Sequence, residues 1–232
     1  MCTSFVKKTD DNCYIAMNFD NNGMKYRINT TKKDWLIVYV EMGKMKYPSF
    51  GIHKSGIFFN NLLVNACEKG KYRRGKGVVH STKFLTEIID NKICVDTLKQ
   101  YLENIEIVNV PNFSTHNMIC DIQSNVWIIE PGRGNIYSSL KSNEFQVMTN
   151  FSLVDATKNK ETNYCKRFNN VNKLLSELVN MNVQKTFEIL RVAKQSEGEW
   201  ITEISMVFDK TNETVYYCEN QNFENIKEFV FQ

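Results

Sequence analysis

Met1-Cys2-Thr3-Ser4-Phe5 opens the chain, and Cys13-Tyr14-Ile15-Ala16-Met17-Asn18-Phe19-Asp20 follows it. The first segment begins a strand. The second is rich in β-branched and aromatic residues and reads as a strand that Asn18-Phe19-Asp20 closes. Cys2 is small enough for Met1 to be removed, which leaves one residue carrying both a thiol and a free α-amine. An α-amine titrates near ~7.7–8.0, so a useful fraction is neutral at physiological pH. It can take the thiol proton directly or through one water, activating the sulfur without a histidine.

Outward from this pair, strand-like runs dominate both ends. Trp35 to Val40 is a third strand, and Gly51 to Val64 reads as strand, Lys-Ser-Gly turn, strand. Ser81 is the expected N-cap of a helix from Thr82 to Asp90, where Phe84, Leu85, Ile88 and Ile89 recur at helical spacing. Val95 to Leu102 repeats the pattern. Strands return at His116–Ile122, Val126–Glu130 and Gln146–Asn150, with Asn125 supplying a polar turn. Phe168 to Met181 is amphipathic, Val183 to Ala193 is a second helix, and Ile201–Phe208, Thr214–Cys218 and Glu228–Phe231 form a closing meander. This order predicts one α+β domain spanning 1–232, with helices packed on sheet faces.

Composition narrows the function. The 232 residues are 42% apolar and 24% charged, ordinary globular values that include fifteen Phe, ten Tyr and three Trp for a core. A net charge of +3 argues against nucleic acid or an anionic membrane as partner. No eighteen-residue apolar run predicts a membrane span, and no apolar h-region marks the start as a secretory signal, so reduced thiols in a cytoplasm are expected. The seven cysteines show no zinc spacing and the three histidines (His53, His80, His116) are scattered, so neither a metal nor another cofactor is expected. The basic run Lys69-Gly70-Lys71-Tyr72-Arg73-Arg74-Gly75-Lys76 reads as a solvated loop, or as an entrance attracting acidic substrates.

Further pieces stand in order along the chain: Gly51-Ile52-His53-Lys54-Ser55-Gly56-Ile57, His116 through Asp121 with Val126-Trp127-Ile128-Ile129-Glu130, Met148-Thr149-Asn150, Lys166-Arg167-Phe168, and Trp200 through Ser205. Together with the Cys-Thr start and Asn18-Phe19-Asp20, this pattern resembles the choloylglycine hydrolase and penicillin V acylase family of linear amide C–N hydrolases. The resemblance implies an N-terminal nucleophile hydrolase built as a four-layer αββα sandwich. It implies Cys2 as the nucleophile forming a thioester, Asp20 as the group that holds the α-amine, and Asn150 as an oxyanion donor. Arg167 would be the cation beside the thiolate.

The pattern also departs from the family. Arginine usually precedes Asn-Phe-Asp in the bile-salt and penicillin enzymes, where this chain has Met17, which removes one cation from the implied site. Asn18, Met17 and Asn65 are the candidate substrate contacts, with Asn61 and Leu63 as alternatives to Asn65. Phe151 to Tyr164 is far shorter than the insertion that helps larger relatives form tetramers, so a different homo-oligomer or none is expected. The implied activity is hydrolysis of an N-acyl amide, a small-molecule substrate. Acyl transfer to an amine, as in the acyl-coenzyme A:isopenicillin N acyltransferase branch, and a catalytically degenerate binding protein remain alternatives.

Overall fold

The computed structural model describes residues 1–159 and 165–231, and elements are labelled in chain order. Among these residues the first sheet has six strands: β1 (Thr3–Lys8), β2 (Cys13–Asn21), β13 (Phe145–Met148), β14 (Ile201–Asp209), β15 (Thr214–Glu219) and β16 (Lys227–Val230). Their order is β13-β1-β2-β14-β15-β16, all pairs antiparallel. The second sheet runs β12 (Gly134–Ser139), β11 (Asn125–Glu130), β10 (Thr115–Cys120), β6 (Phe58–Asn60), β5 (Met45–His53), β4 (Trp35–Met42), β3 (Lys25–Asn29), and the short β7 (Leu62–Leu63) pairs with β10.

The two sheets face each other. Period-two alternation in β1 sends Ser4 toward the second sheet, where its hydroxyl accepts from Asn60 Nδ2 at 2.7 Å, and sends Lys7 the other way. Lys7 Nζ reaches the Leu175 carbonyl of α4 (Lys166–Glu177) at 3.3 Å. In β2 the same alternation turns Met17 and Phe19 inward, Phe19 meeting Phe50 with ring centroids 5.9 Å apart. Asn18 is turned outward, donating to the Leu190 carbonyl of α5 (Val183–Ala193) at 2.8 Å. The outer face of the second sheet is apolar as well: Trp35, Ile37, Phe59 and Ile119 pack on Phe84, Leu85 and Ile88 of α1 (Ser81–Ile89) and on Leu98 of α2 (Leu98–Asn104). Each such side chain contributes about 1.5–3 kcal/mol when fully buried. Helices, sheet, sheet, helices is the predicted layering.

Local differences have local causes. α1 begins at Ser81, and its cap is His80, whose ring Nδ1 accepts from Lys83 N–H at 3.2 Å. Ser81 is buried against Thr115 and cannot act as the predicted cap. The turn expected at Asn125 lies earlier. Asp121 Oδ1 accepts from the N–H groups of Gln123 and Asn125 at 2.9 and 2.8 Å, with Ser124 at φ 68°, so Asn125 already belongs to β11. The helix expected from Phe168 starts two residues sooner, which puts Arg167 in the first turn of α4. β3, β12 and the parallel pair β8 (Val78–His80) and β9 (Glu106–Val108) are further elements, as is α3 (Leu153–Asn159) in the short link before α4. The rest of that link, 160–164, lies outside the described residues. Among the described residues no helix is long and apolar enough to cross a membrane.

Candidate active site

The end of the first sheet brings Cys2 and Asp20 together, because β1 and β2 pair with Thr3 opposite Asn18. Asp20 N–H donates to Cys2 Sγ at 3.4 Å, and the thiol lies 3.7 Å from the Asp20 carbonyl. Cys2 shares the inward parity of Ser4 and lines a cavity of 210 Å³. The cavity walls are mostly apolar and include Phe19, Met24, Met42, Leu63, Phe113 and Trp200. A wider groove of 510 Å³ near Lys76, Glu103 and Arg133 has no thiol, hydroxyl or imidazole on its walls.

On the helix side of the same sheet end sits a charged cluster. Arg167 Nη1 donates to the Cys2 carbonyl at 2.6 Å and to Thr3 Oγ1 at 2.8 Å, while Nη2 donates to Asn150 Oδ1 at 3.2 Å. The same guanidinium is 3.7 Å from Asp20 Oδ2. Asp20 Oδ1 accepts from Thr202 Oγ1 and Oδ2 from Gln195 Nε2, both at 2.6 Å. Two neutral donors and one cation therefore surround a carboxylate buried to 1% exposure. Burial is still the largest influence and pushes the Asp20 carboxyl up to about 6, against the Thr202 hydrogen bond, the terminal amine, Arg167 and Gln195.

Met1 precedes Cys2 and is 42% exposed, with its carbonyl accepting from Gln195 Nε2 at 2.9 Å. Its α-amine is pushed down by burial, chiefly, and by Arg167. The Cys2 thiol is pushed up to about 12, first by burial and then by the Asp20 charge, outweighing the amine, the Asp20 N–H and Arg167. With Met1 in place, the nitrogen of Cys2 is an amide and accepts no proton.

Asn150 follows β13 and is held from both sides: Nδ2 donates to the Leu63 carbonyl at 2.8 Å while Oδ1 accepts from Arg167. Behind it, His116 Nε2 donates to the Thr149 carbonyl at 2.8 Å, and Nδ1 meets Glu130 Oε1 at 3.1 Å, both side chains wholly buried. Glu130 also accepts from Leu153 N–H at 2.8 Å and from the Ser152 hydroxyl, so it caps α3. Burial opposes its charge, but His116, Ser152 and Leu153 together hold its carboxyl below the usual glutamate range.

Cys2, Asp20, Asn150 and Arg167 thus converge on one sheet end. The candidate substrate contacts lie elsewhere. Asn18 spends its amide on Leu190 and accepts from Ser205 Oγ at 2.7 Å on the helix side. Met17 is fully buried between the sheets beneath the site. Asn65 is exposed and gives its carbonyl to Arg133, whereas Asn61 and Leu63 stand in the cavity wall. Thr3 and Thr202 lie within the matched pieces but were given no role there, and Gln195 lies in none; the strand register and the return of the chain after α5 bring Thr202 and Gln195 to Asp20. The basic run is largely occupied locally, Lys71 pairing with Glu68 at 2.6 Å and Arg73 with Glu106.

A scan against protein-family models and a comparison with curated protein sequences find no match. Solved structures do match. A mutant of the conjugated bile acid hydrolase from Clostridium perfringens superposes with a TM-score of 0.71 at 17% identity, covering 99% of this chain and 92% of that one. Penicillin V acylase from Agrobacterium tumefaciens gives 0.65 at 14% identity, covering 98% of this chain and 90% of that one. The Caenorhabditis elegans ortholog of N-acylethanolamine-hydrolyzing acid amidase gives 0.63 at 13% identity over 89% of this chain and 92% of its own. At such identities the likeness is one of architecture: the chain has the N-terminal nucleophile hydrolase fold of these proteins along nearly its whole length.

Proposed function

We propose that this chain is an N-terminal cysteine hydrolase that cleaves the C–N bond of a linear N-acyl amide, with an apolar acyl group bound in the cavity beside Cys2. The observation that carries this reading is the Arg167 fork, which ties the Cys2 carbonyl, Thr3 and Asn150 together within reach of Asp20, while Cys2 and Asp20 themselves line that cavity.

Loss of Met1 converts the Cys2 nitrogen into an amine, and the amine accepts the thiol proton as sulfur attacks the acyl carbon. Asp20 and Arg167 bracket this proton transfer, one favouring the protonated amine and the other the thiolate. Asn150 Nδ2 has two hydrogens and Leu63 takes one of them, so the second is the candidate donor to the tetrahedral oxyanion. The amine returns its proton to the departing nitrogen, leaving a thioester on Cys2. Water then attacks the thioester, the amine takes one of its protons, and acid and free thiol are released.

The test is a screen of acyl amides with aliphatic, aryl and steroid acyl groups against wild type and Cys2→Ala, with intact mass recorded. Turnover by protein lacking Met1, abolished in folded Cys2→Ala, is the expected result. Equal turnover by Cys2→Ala overturns the reading.

A further inference from the structure

One side-chain nitrogen touches both the residue that covers the nucleophile and the carboxylate beside it. Gln195 lies two residues beyond α5, and its Nε2 donates to the Met1 carbonyl at 2.9 Å and to Asp20 Oδ2 at 2.6 Å, which uses both hydrogens of the amide. Its backbone is fixed as firmly. Gln195 N–H donates to Thr202 Oγ1 at 2.8 Å, and its carbonyl accepts from Thr202 N–H and Gln221 Nε2, both at 2.9 Å. Thr202 Oγ1, having accepted from Gln195, passes its own hydrogen to Asp20 Oδ1. Gln195 and Thr202 thus form a closed clamp on both carboxylate oxygens.

We propose that Gln195 is a positioning residue for the Cys2 nucleophile: it fixes the carboxylate of Asp20 against the α-amine, and the N–H now on Met1 faces that amine once Met1 has left. This inference rests on the hydrolase reading only for its catalytic consequence. The clamp itself is a property of Asp20 and the chain terminus. Its effect is electrostatic. Hydrogen bonds to the charged form of Asp20 keep it ionised against burial, and an ionised Asp20 holds the amine beside the sulfur. The charged groups facing this spot are Arg167 from α4, Glu199 from the loop before β14, and the terminal amine.

The experiment uses full-length chain with Cys2 exposed as the first residue by cleavage of a fusion tag, as wild type, Gln195→Met and Gln195→Glu. Both variants keep the approximate length of the side chain and lack its N–H donors, and circular dichroism checks their fold. The readout is the pH dependence of iodoacetamide alkylation at Cys2, located by peptide mass spectrometry, which needs no substrate. Gln195→Met is expected to displace the alkylation profile by about half a unit to one unit, and Gln195→Glu, which sets a second carboxylate against Asp20, by more. Profiles that superpose on wild type in both folded variants overturn the inference and leave the hydrolase reading intact. Amide turnover that survives in Cys2→Ala overturns the hydrolase reading while the alkylation profiles still decide the role of Gln195.

Discussion

Arg167 Nη1 lies 2.6 Å from the Cys2 carbonyl oxygen, so the first turn of α4 is bolted to the start of β1 across 165 positions of sequence. One guanidinium meets three acceptors, two at the start of β1 and one just after β13, an arrangement that suits a planar fork and not a single ammonium. Arg167→Lys is therefore expected to keep the charge but lose the bridge to Asn150. The loss of one or two charge-assisted bonds predicts a fall of about ten- to hundredfold in kcat/KM. Steady-state kinetics on any amide found in the screen checks this, and a Lys variant with wild-type kcat/KM contradicts it.

Asn150 is oriented by Leu63 and Arg167 before any substrate arrives, the condition under which an oxyanion donor is effective. Asn150→Ala is expected to lower kcat by about 10²–10³-fold with a smaller change in KM. Single-turnover measurements should place the loss in formation of the thioester. A defect confined to KM assigns Asn150 to ground-state binding instead.

The covered thiol makes a third prediction. With its titration midpoint pushed up to about 12, chiefly by burial, the Cys2 thiol of the Met1-bearing chain is held almost wholly protonated at pH 8. A chain carrying a Gly-Ser extension before Met1 should resist iodoacetamide at Cys2, whereas the processed chain should react at least about a hundredfold faster. Exposed Cys94 and Cys165 serve as internal reactivity standards in the same digest. Equal labelling of Cys2 in both chains would show that Met1 does not control the nucleophile.

The His116–Glu130 pair sets a pH dependence of stability. The folded carboxyl of Glu130 titrates below its ordinary value of 4.5, so its contribution is present above the unfolded value and is lost as pH falls through the folded one. At pH 7, Glu130→Gln is expected to reduce stability by about 1–3 kcal/mol, because donors at His116, Ser152 and Leu153 lose a charged acceptor. Below about pH 4.5 the gap should narrow. Urea unfolding at pH 7 and pH 4 measures both, and a gap that stays constant removes the Glu130 carboxylate from the account.

The sequence by itself determined most of the elements, though not β3, β8, β9, β12 or α3, and its resemblance singled out the four residues gathered at the sheet end. The β-branched and aromatic runs of β2 and β4, the helical spacing in α1 and α4, and the order of strands and helices are local properties of the sequence. Cys2, Asp20, Asn150 and Arg167 were legible because each sits in a short pattern that keeps its order along the chain. Contacts between distant segments were not legible, because no local preference records them. Asn65 looked as near to the central hairpin as Asn61, yet strand pairing puts Asn61 and Leu63 in the cavity wall and leaves Asn65 in solvent. Asn18 belongs to Asn18-Phe19-Asp20 but points to α5, since one residue of strand reverses the face. Gln195 and Thr202 reach Asp20 only because β14 lies antiparallel to β2 with Thr202 opposite Asp20. Burial of that carboxylate among the chain terminus, α4, Gln195 and Thr202 is a sum over the fold, and so is the charge it carries.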